Sequence, residues 1–401
     1  MNQEEMLKKV NPTYLSAKGV LSLLSKTGNS DIMCFYNDLD KEALGKSSTL
    51  EPAIIRSWRI SLEARYNFWT AITEETDCKI IVDLPCGYLP QCLKAARLNK
   101  KYYGLDLPIV TEEVSRIAFK HLDGRQKNLV QYHGVDATNY DSLRNALKDA
   151  QGKICIITDG FLGYFNLHDL KAICENIYRL LREFGGHWYT SDSQFPELME
   201  LTHAVITGDE SEEISVAISL GASRIADSNL SDHLFMGGTL EERRKFMEEC
   251  GFSVKSFRYS DKLRVIPSLK ENPALMEKLL SAYNGIEEWV LTAKETPAAE
   301  KTPDIPFAQE FSSAGGVLSI RISGRLDTIT APEFLQKVEE LRAKNSFTEI
   351  KFDAANLSYI SYAGVRALQI LQESCSSFRI SSASGEVRKI LTENFPAALE
   401  Q

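Results

Sequence analysis

The sequence lacks several features that mark common protein classes. No apolar run approaches the length of a membrane-spanning helix, and the N-terminal stretch MNQEEMLKKVNPTYLSAKG has no apolar signal-peptide core. No Lys/Arg run stands out, and the formal net charge is -9. Because binding to a nucleic-acid backbone requires a basic surface, this composition disfavours a nucleic-acid partner. We therefore expect a cytoplasmic protein that binds neither nucleic acid nor membrane.

Metal and redox motifs are also missing. The eight cysteines form no CxxC pair, and the six histidines show neither an HxH nor an HExxH pattern. Such dispersed residues predict reduced thiols and no metal site. The first glycine turn does not read GxGxxG, which argues against a nicotinamide-dependent oxidoreductase.

What is present is a regular alternation of apolar strands and amphipathic helices. The predicted strands are CKIIVDL, KYYGLDLP, NLVQYHGVDAT, KICIITDG and GHWYTSD, and SVKSFRYSDKL follows as a terminal strand. Strict alternation of this kind predicts a parallel sheet covered by helices on both faces. At this length we expect more than one domain. We predict a helical N-terminal cap over 1–50, an α/β domain over 51–291, a Pro/Ala/Glu/Thr-rich linker over 292–314, and a small second α/β domain over 315–401.

The turn after the first predicted strand, DLPCGYLP, supplies only Gly87, where a dinucleotide site uses three glycines. Such a turn allows a ligand to approach the backbone without a dedicated phosphate cradle. This arrangement suits S-adenosylmethionine, a zwitterionic sulfonium compound that carries no phosphate. The turn therefore predicts an S-adenosylmethionine site.

Acidic residues lie at or just after the ends of the first four predicted strands: Asp83, Asp106, Asp136 and Asp159. In open α/β sheets, ligands bind at the carboxyl ends of the strands. We expect Asp106 to accept hydrogen bonds from the ribose, Asp136 from the adenine amine, and Asp83 to place the ligand's ammonium group. Two alternatives stay open: Asp106 as a cap of its own strand end, and Asp136 in an Asx turn with Thr138.

Residues 51 to about 265 resemble the leucine carboxyl methyltransferase family of S-adenosylmethionine-dependent O-methyltransferases. The resemblance is carried by an Arg-bearing helix before the first strand and by the segments VDLPCGY, YYGLDLP, GVDATN and TDGFLGYFN. It implies a Rossmann-like methyltransferase domain and an enzyme that methylates an acceptor, such as a carboxylate on a small molecule or a protein.

The resemblance also implies roles for individual residues. Gly87 would pack on the methionine moiety, Asp106 with Leu107 would hold the ribose, and Asp136 with Ala137 the adenine amine. Asp159 with Gly160 would hold the amino-acid end. An Arg on the preceding helix would pair with the ligand carboxylate, and both Arg59 and Arg65 fit that role by spacing.

Two positions depart from the family pattern. Pro85 replaces the first glycine of the usual turn, and Leu89 stands where an acidic residue is common. Both motivate an alternative, a catalytically degenerate regulator that acts through the second domain in partner switching.

The nature of the methyl acceptor decides whether the enzyme needs a general base. A carboxylate acceptor would need no general base, whereas a hydroxyl acceptor would need one, for which Tyr164 and His187 are the candidates.

Residues 315–401 resemble a STAS domain, the fold of bacterial anti-sigma-factor antagonists. The matching segments are GRLDTITAPEF and FDAANLSYISYAGVRAL. The family's switch turn reads Asp-Ser-Ser-Gly, with the second Ser phosphorylated, whereas this chain has Ser361, Tyr362, Ala363 and Gly364. Because Ala363 has no hydroxyl, the resemblance implies a protein-interaction or self-association module without that phosphorylation. Ser358 and Ser361 remain alternative acceptors, although we expect Ser361 to be structural.

Overall fold

The computed structural model describes residues 3–11, 14–39, 52–208, 232–295 and 305–399. The chain divides into two compact units. One comprises residues 13–296, and the other combines residues 1–12 with residues 297–401. Residues 40–50 of the predicted cap and 296–304 of the predicted linker lie outside the described residues.

The larger unit is an α/β unit built on one sheet. Its strands are β1 (Ile80–Asp83), β2 (Lys101–Asp106), β3 (Val130–Gly134), β4 (Ile154–Thr158), β5 (Gly186–Thr190), β6 (Phe252–Arg258) and β7 (Glu287–Ala293). Its helices before β4 are α2 (Tyr14–Leu24), α3 (Ser30–Asp38), α4 (Pro52–Glu75), α5 (Gln91–Arg97), α6 (Pro108–Ala118), α7 (Gly124–Lys127) and α8 (Tyr140–Ala146). After β4 follow α9 (Leu167–Phe184), α10 (Phe195–Thr207), α11 (Leu234–Gly237), α12 (Leu240–Glu249), α13 (Tyr259–Lys262) and α14 (Pro273–Ala282).

The strand order of this sheet is β3-β2-β1-β4-β5-β7-β6. The first five strands are parallel, and β7 runs antiparallel between β5 and β6. This arrangement confirms the predicted Rossmann-like α/β fold. The strand β7 is not among the predicted strands, and the predicted domain end at 291 falls inside it.

Local sequence explains why the central elements form. All four residues of β1 are buried between β2 and β4, as expected for a strand covered on both faces. The long helix α9 begins where Asn166 accepts a hydrogen bond from the Asp169 backbone N–H at 2.9 Å. It ends at Gly185, whose φ of 69° lies in a region that favours glycine. The apolar face of α9 then packs on the sheet through Ile173 and Ile177.

The smaller unit has a four-stranded sheet of order β11-β10-β9-β8. Its strands are β8 (Ala308–Ala314), β9 (Val317–Leu326), β10 (Glu349–Ile360) and β11 (Ser377–Ser381), and its helices are α1 (Gln3–Val10), α15 (Thr330–Arg342), α16 (Tyr362–Glu373) and α17 (Gly385–Asn394). Only β8 is antiparallel to its neighbour. The sheet is thus a second α/β layer with its own buried residues.

Two predicted segments have a different structure from the one expected. The predicted cap is shared between the units, since α1 belongs to the smaller one and α2 and α3 to the larger one. The predicted linker contains the end of β7 and the whole of β8.

Among the described helices, none combines the length and apolarity that a membrane span requires.

Candidate functional site

The candidate site lies where the strand order reverses. The strands β1 and β4 are neighbours in the middle of the sheet. The strands β2 and β3 lie on the β1 side, and β5 lies on the β4 side. The loops that follow β1 and β4 therefore leave neighbouring strand ends in diverging directions and open a crevice there. Of the predicted carboxylates, Asp83 and Asp106 end β1 and β2, whereas Asp136 and Asp159 follow β3 and β4.

Asp106 holds the glycine turn in place. One carboxylate oxygen accepts the backbone N–H of Gly87 at 2.9 Å, and the other accepts that of Leu107 at 2.7 Å. Burial raises the pKa of Asp106 to about 6. Asp106 therefore does cap its own strand end, and each oxygen has lone-pair capacity for a further donor such as a hydroxyl.

Arg65 is the arginine that reaches the strand ends. Its Nε donates to Asp159 Oδ1 at 2.8 Å, Nη2 contacts the same oxygen, and the guanidinium lies 4.5 Å from the centre of the Phe195 ring. The hydroxyl of Ser191 also donates to Asp159. Arg59 lies six residues earlier on α4 and so projects from a different side of the helix. The structure therefore brings Arg65, and not Arg59, to Asp159.

Asp192 is a site residue that sequence reasoning missed. Its carboxylate accepts the backbone N–H groups of Gly160, Phe161 and Leu162 at 2.7, 3.0 and 2.8 Å. Burial raises its pKa, while Arg65 and these N–H groups oppose that shift. Asp192 follows β5, so its position after a strand end was the signal that could have identified it. It fixes the loop that carries Asp159 and Gly160.

Asp83 is a buried carboxyl at the end of β1. The Tyr102 hydroxyl donates to its Oδ2 at 2.7 Å. Burial raises the pKa of Asp83 to about 7, and the nearby negative charges of Asp159 and Asp106 contribute in the same direction. Tyr102 is therefore a further group of this site that the sequence pattern did not single out.

Asp136 forms the Asx turn that was its alternative interpretation. Its Oδ1 accepts the backbone N–H of Thr138 at 2.7 Å and the Thr138 hydroxyl at 2.6 Å. The neighbouring Ala137 carbonyl accepts from Asn176 Nδ2 at 3.0 Å. The turn holds both residues at the end of β3, and their role toward adenine stays a prediction.

The structure separates the two predicted bases. His187 is the second residue of β5, opposite Cys155 at the beginning of β4, and its Nε2 lies 3.9 Å from Asp77, which precedes β1. It therefore lies at the amino-terminal edge of the sheet, away from the carboxylates, and this position argues against the catalytic role. Tyr164 follows β4 in a short 3-10 helix, Leu162–Tyr164, and burial raises its pKa. A phenol that ionises less readily is a poor general base.

Unlike His187, His233 lies beside the loop after β4, and sequence reasoning missed it. Its Nδ1 lies 3.0 Å from the Gly163 carbonyl oxygen, a contact that requires the hydrogen on Nδ1. Burial lowers its pKa, so Nε2 is the unprotonated nitrogen near neutral pH. No sequence motif marks this residue, because its neighbour Gly163 lies 70 positions away.

Helix α2 covers the glycine turn. A Cβ atom placed on Gly87, whose φ is 51°, would lie 3.4 Å from the Ala17 Cβ. The next residue, Lys18, pairs with Glu113 at 2.7 Å, and Glu113 also accepts the Tyr88 hydroxyl at 2.8 Å. Helix α2 therefore contacts the turn that carries Gly87, and a cap over residues 1–50 stays a prediction.

Two further polar side chains, Glu288 and Tyr259, are buried near Arg65. Glu288 on β7 is 1% exposed and Tyr259 is fully buried. Among the residues that the structure describes, Glu288 Oε2 and the Tyr259 hydroxyl accept or donate no hydrogen bond. Burial raises the pKa of Glu288 well above its usual range, with the charge of Asp159 adding to the shift. These groups extend the polar end of the crevice toward β6 and β7.

In the smaller unit, the switch turn is a helix start. The Ser361 hydroxyl oxygen accepts the backbone N–H of Gly364 at 3.3 Å and so caps α16. A Cβ on Gly364 would come within 2.3 Å of the Leu326 carbonyl oxygen, so a glycine is required for this close approach. Ala363 is buried, whereas Tyr362 is exposed.

Within the described ranges, no group of three or more His, Cys, Asp or Glu side chains is placed to hold a metal ion. The cysteines described in the structure are all free thiols. The described site therefore consists mainly of carboxylates, a buried arginine and backbone N–H groups, with the hydroxyls of Tyr102 and Ser191 beside them.

Comparisons with known proteins support part of this description. The STAS domain family matches residues 309–393, so the C-terminal part of the chain is a STAS domain. No curated protein matches the sequence. The fold is similar to an O-methyltransferase family protein from Burkholderia thailandensis, with 9% identity and a TM-score of 0.36, over 66% of this chain and 63% of that one. The chain thus spans less than two thirds of that protein.

Two other solved structures show a similar level of likeness. Human N-acetylserotonin methyltransferase, in complex with S-adenosylmethionine, has 13% identity and a TM-score of 0.34, over 69% of this chain and 70% of that one. A DUF574 family protein from Streptomyces avermitilis has 11% identity and a TM-score of 0.41, over 70% of this chain and 97% of that one. At this level the likeness carries no argument about activity, which must come from the site itself.

Proposed function

We propose that the chain is an S-adenosylmethionine-dependent O-methyltransferase that carries a STAS domain. One observation carries the proposal. Arg65 and Asp159 lie at the strand ends where the strand order reverses, and so does the Gly87 turn, which Asp106 holds by a hydrogen bond. A buried guanidinium next to carboxylates suits the carboxylate and ammonium of an amino acid. A carboxylate that holds a glycine turn suits the ribose beside it.

The residues fit this cofactor along its length. Asp106 and Leu107 would hold the ribose, and Asp136 with Ala137 would border the adenine. The amino-acid end would lie between Arg65, Asp159 with Gly160, and Asp83. When bound, S-adenosylmethionine supplies a methyl group that is already activated by the sulfonium, so the chain's task is to place the acceptor in line with it.

A carboxylate is the acceptor that the site favours, in keeping with the leucine carboxyl methyltransferase resemblance. A carboxylate is already charged near neutral pH and needs no general base. Of the two predicted bases, His187 lies at the other edge of the sheet and Tyr164 has a raised pKa. The chain then only has to align the acceptor with the methyl group, while α2 excludes water from the site.

A hydroxyl acceptor is a second candidate because of His233. Its Nδ1 contact with Gly163 leaves Nε2 as the proton acceptor, and its lowered pKa keeps the ring neutral. In that case His233 would take the acceptor's proton as the methyl group is transferred.

A regulator without catalysis is the remaining alternative. It is favoured by the fact that Arg65 already has an internal partner in Asp159. On this alternative the larger unit would bind no cofactor, and the STAS domain would act in partner switching. The first experiment separates it from the enzyme.

That experiment is calorimetric titration with S-adenosylmethionine and S-adenosylhomocysteine. We expect micromolar binding that is lost in Asp106→Ala and kept in the exposed control Asp149→Ala. Absence of heat with both ligands, in protein shown to carry neither, would leave the regulator as the function.

The acceptor class can then be read from a transferred radiolabelled methyl group. Methyl esters of carboxylates release methanol in mild alkali, whereas methyl ethers do not. We expect an alkali-labile product that forms equally well with His233→Asn. An alkali-stable product that His233→Asn abolishes would assign a hydroxyl acceptor.

A further inference from the structure

The helix α1 comes from the opposite end of the chain yet packs on the STAS domain. Within the smaller unit it lies against α15 and α16. The STAS match begins at residue 309 and so does not include it. The helix α16 is the one that begins at the switch turn Ser361–Gly364. The chain therefore covers, with its own N-terminal segment, a face that the STAS domain by itself leaves open.

The sequence of α1 suits an apolar groove. Met6, Leu7 and Val10 are buried, at 1%, 7% and 1% exposure. Positions i, i+1 and i+4 lie on one side of a helix, and on the other side Lys8 and Lys9 are exposed. This is the pattern of a short amphipathic helix that inserts one apolar face into a groove between helices.

The STAS domain has a core that does not depend on α1. Helices α15 and α16 cover the sheet, with Phe334, Leu335 and Leu368 buried, and the central strand β10 contributes Ile350 and Phe352. By contrast, α1 has eight residues and three buried apolar side chains. Helices of this length are marginal alone, and ordering the segment costs an entropy comparable to what three buried side chains contribute. The docked and detached states of α1 therefore differ little in free energy.

We propose that the groove between α15 and α16 is a docking site for a short amphipathic helix, and that α1 occupies it as a detachable intramolecular ligand. The covalent connection gives α1 a high effective concentration, so it closes the groove without tight intrinsic binding. A helix of the same apolar spacing from another chain would have to displace α1. This inference does not depend on methyltransferase activity.

The test uses a labelled peptide of residues 1–12 and two forms of the protein. We expect saturable binding, by fluorescence anisotropy, to a chain that begins at residue 14, and at least tenfold weaker apparent binding to the full chain. The peptide with Met6→Asp and Val10→Asp should not bind, whereas the matched peptide with the exposed change Lys9→Gln should bind as the parent does.

Hydrogen exchange on the full chain tests the same point without truncation. Amides of α1 should exchange at least a hundredfold faster than those of α16, since a detachable helix opens separately from the domain. Equal protection of α1 and α16 would show α1 to be an integral part of the core and overturn the proposal. A folded truncated chain that binds no peptide, or equal peptide binding to both forms, would overturn it as well.

Discussion

Arg65, which is buried, and Asp159, which is half-buried, form an ion pair that joins the middle of α4 to the loop after β4. The Arg65 Nε lies 2.8 Å from Asp159 Oδ1, and the arginine is only 3% exposed. The helix before the sheet is thereby tied to the strand end at which the order reverses. An arginine held in this way has a fixed position when a ligand arrives, so binding need not order a flexible side chain.

Replacing this arginine should weaken cofactor binding. Arg65→Lys keeps a positive charge but loses the planar, two-pronged donor geometry. We expect the affinity for S-adenosylhomocysteine to fall by roughly 10- to 100-fold, equivalent to about 1.4 to 2.7 kcal/mol. Calorimetry measures the change, with Arg59→Lys as the matched control on the same helix. Weakened binding in Arg59→Lys alone would assign the ligand carboxylate to Arg59.

Cofactor affinity should depend on pH through Asp106. Its pKa of about 6 means that the carboxyl gains a proton as the pH falls from 7 to 5. A protonated carboxyl is a weaker acceptor for ribose hydroxyls, so affinity should fall by up to about tenfold per pH unit below 6. Titrations at pH 5, 6, 7 and 8 test this. Asp106→Asn should bind weakly at every pH and show a smaller slope, and the remaining slope belongs to Asp83, whose pKa of about 7 lies in the same range. A wild-type affinity that is constant from pH 5 to 8 would contradict the assignment.

Stability should depend on pH through Asp83. Its pKa is raised to about 7 in the folded chain, against about 3.9 in an unfolded one. The folded state therefore binds this proton more tightly, and the resulting stability is complete below pH 4 and lost as the pH rises toward 7. The loss is at most about 4 kcal/mol for one such group.

The variant Asp83→Asn isolates this contribution. Asparagine stays neutral and can still accept from the Tyr102 hydroxyl. Denaturant unfolding of the larger unit at pH 5 and pH 8 should show a smaller difference in the variant than in the wild type. An unchanged difference would mean that Asp83 is ionised in the folded protein.

The STAS domain should lose stability when its switch-turn serine is removed. Ser361 caps α16 through the Gly364 N–H, so Ser361→Ala should lower the free energy of unfolding by about 1 kcal/mol. Ser384 is the matched control, because it precedes α17 without making a side-chain cap hydrogen bond. The thermal unfolding transition of the STAS domain measures the stability of both variants. Equal losses of stability in Ser361→Ala and Ser384→Ala would exclude the capping role.

The sequence predicted the two sheets because their signals are local. Buried parallel strands such as β1 read as continuous apolar runs, and helices such as α9 carry their own caps. The strand β7 escaped prediction since its place is fixed by pairing with β5 and β6, far away in the sequence. The docking of α1 on the STAS domain was not predicted for the same reason: its partner helices, Thr330–Arg342 and Tyr362–Glu373, lie at the other end of the sequence.

The candidate site shows the same division. The sequence by itself determined which carboxylates follow the strand ends, since strand order along the chain already places Asp83, Asp106 and Asp159 at one edge. Only the tertiary structure showed that Arg65, and not Arg59, contacts Asp159, that His187 lies at the opposite edge, and that Asp192 and His233 contact the loop after β4. These contacts join residues from separate elements, and no local pattern records which distant side chains a folded core will bring within hydrogen-bond distance.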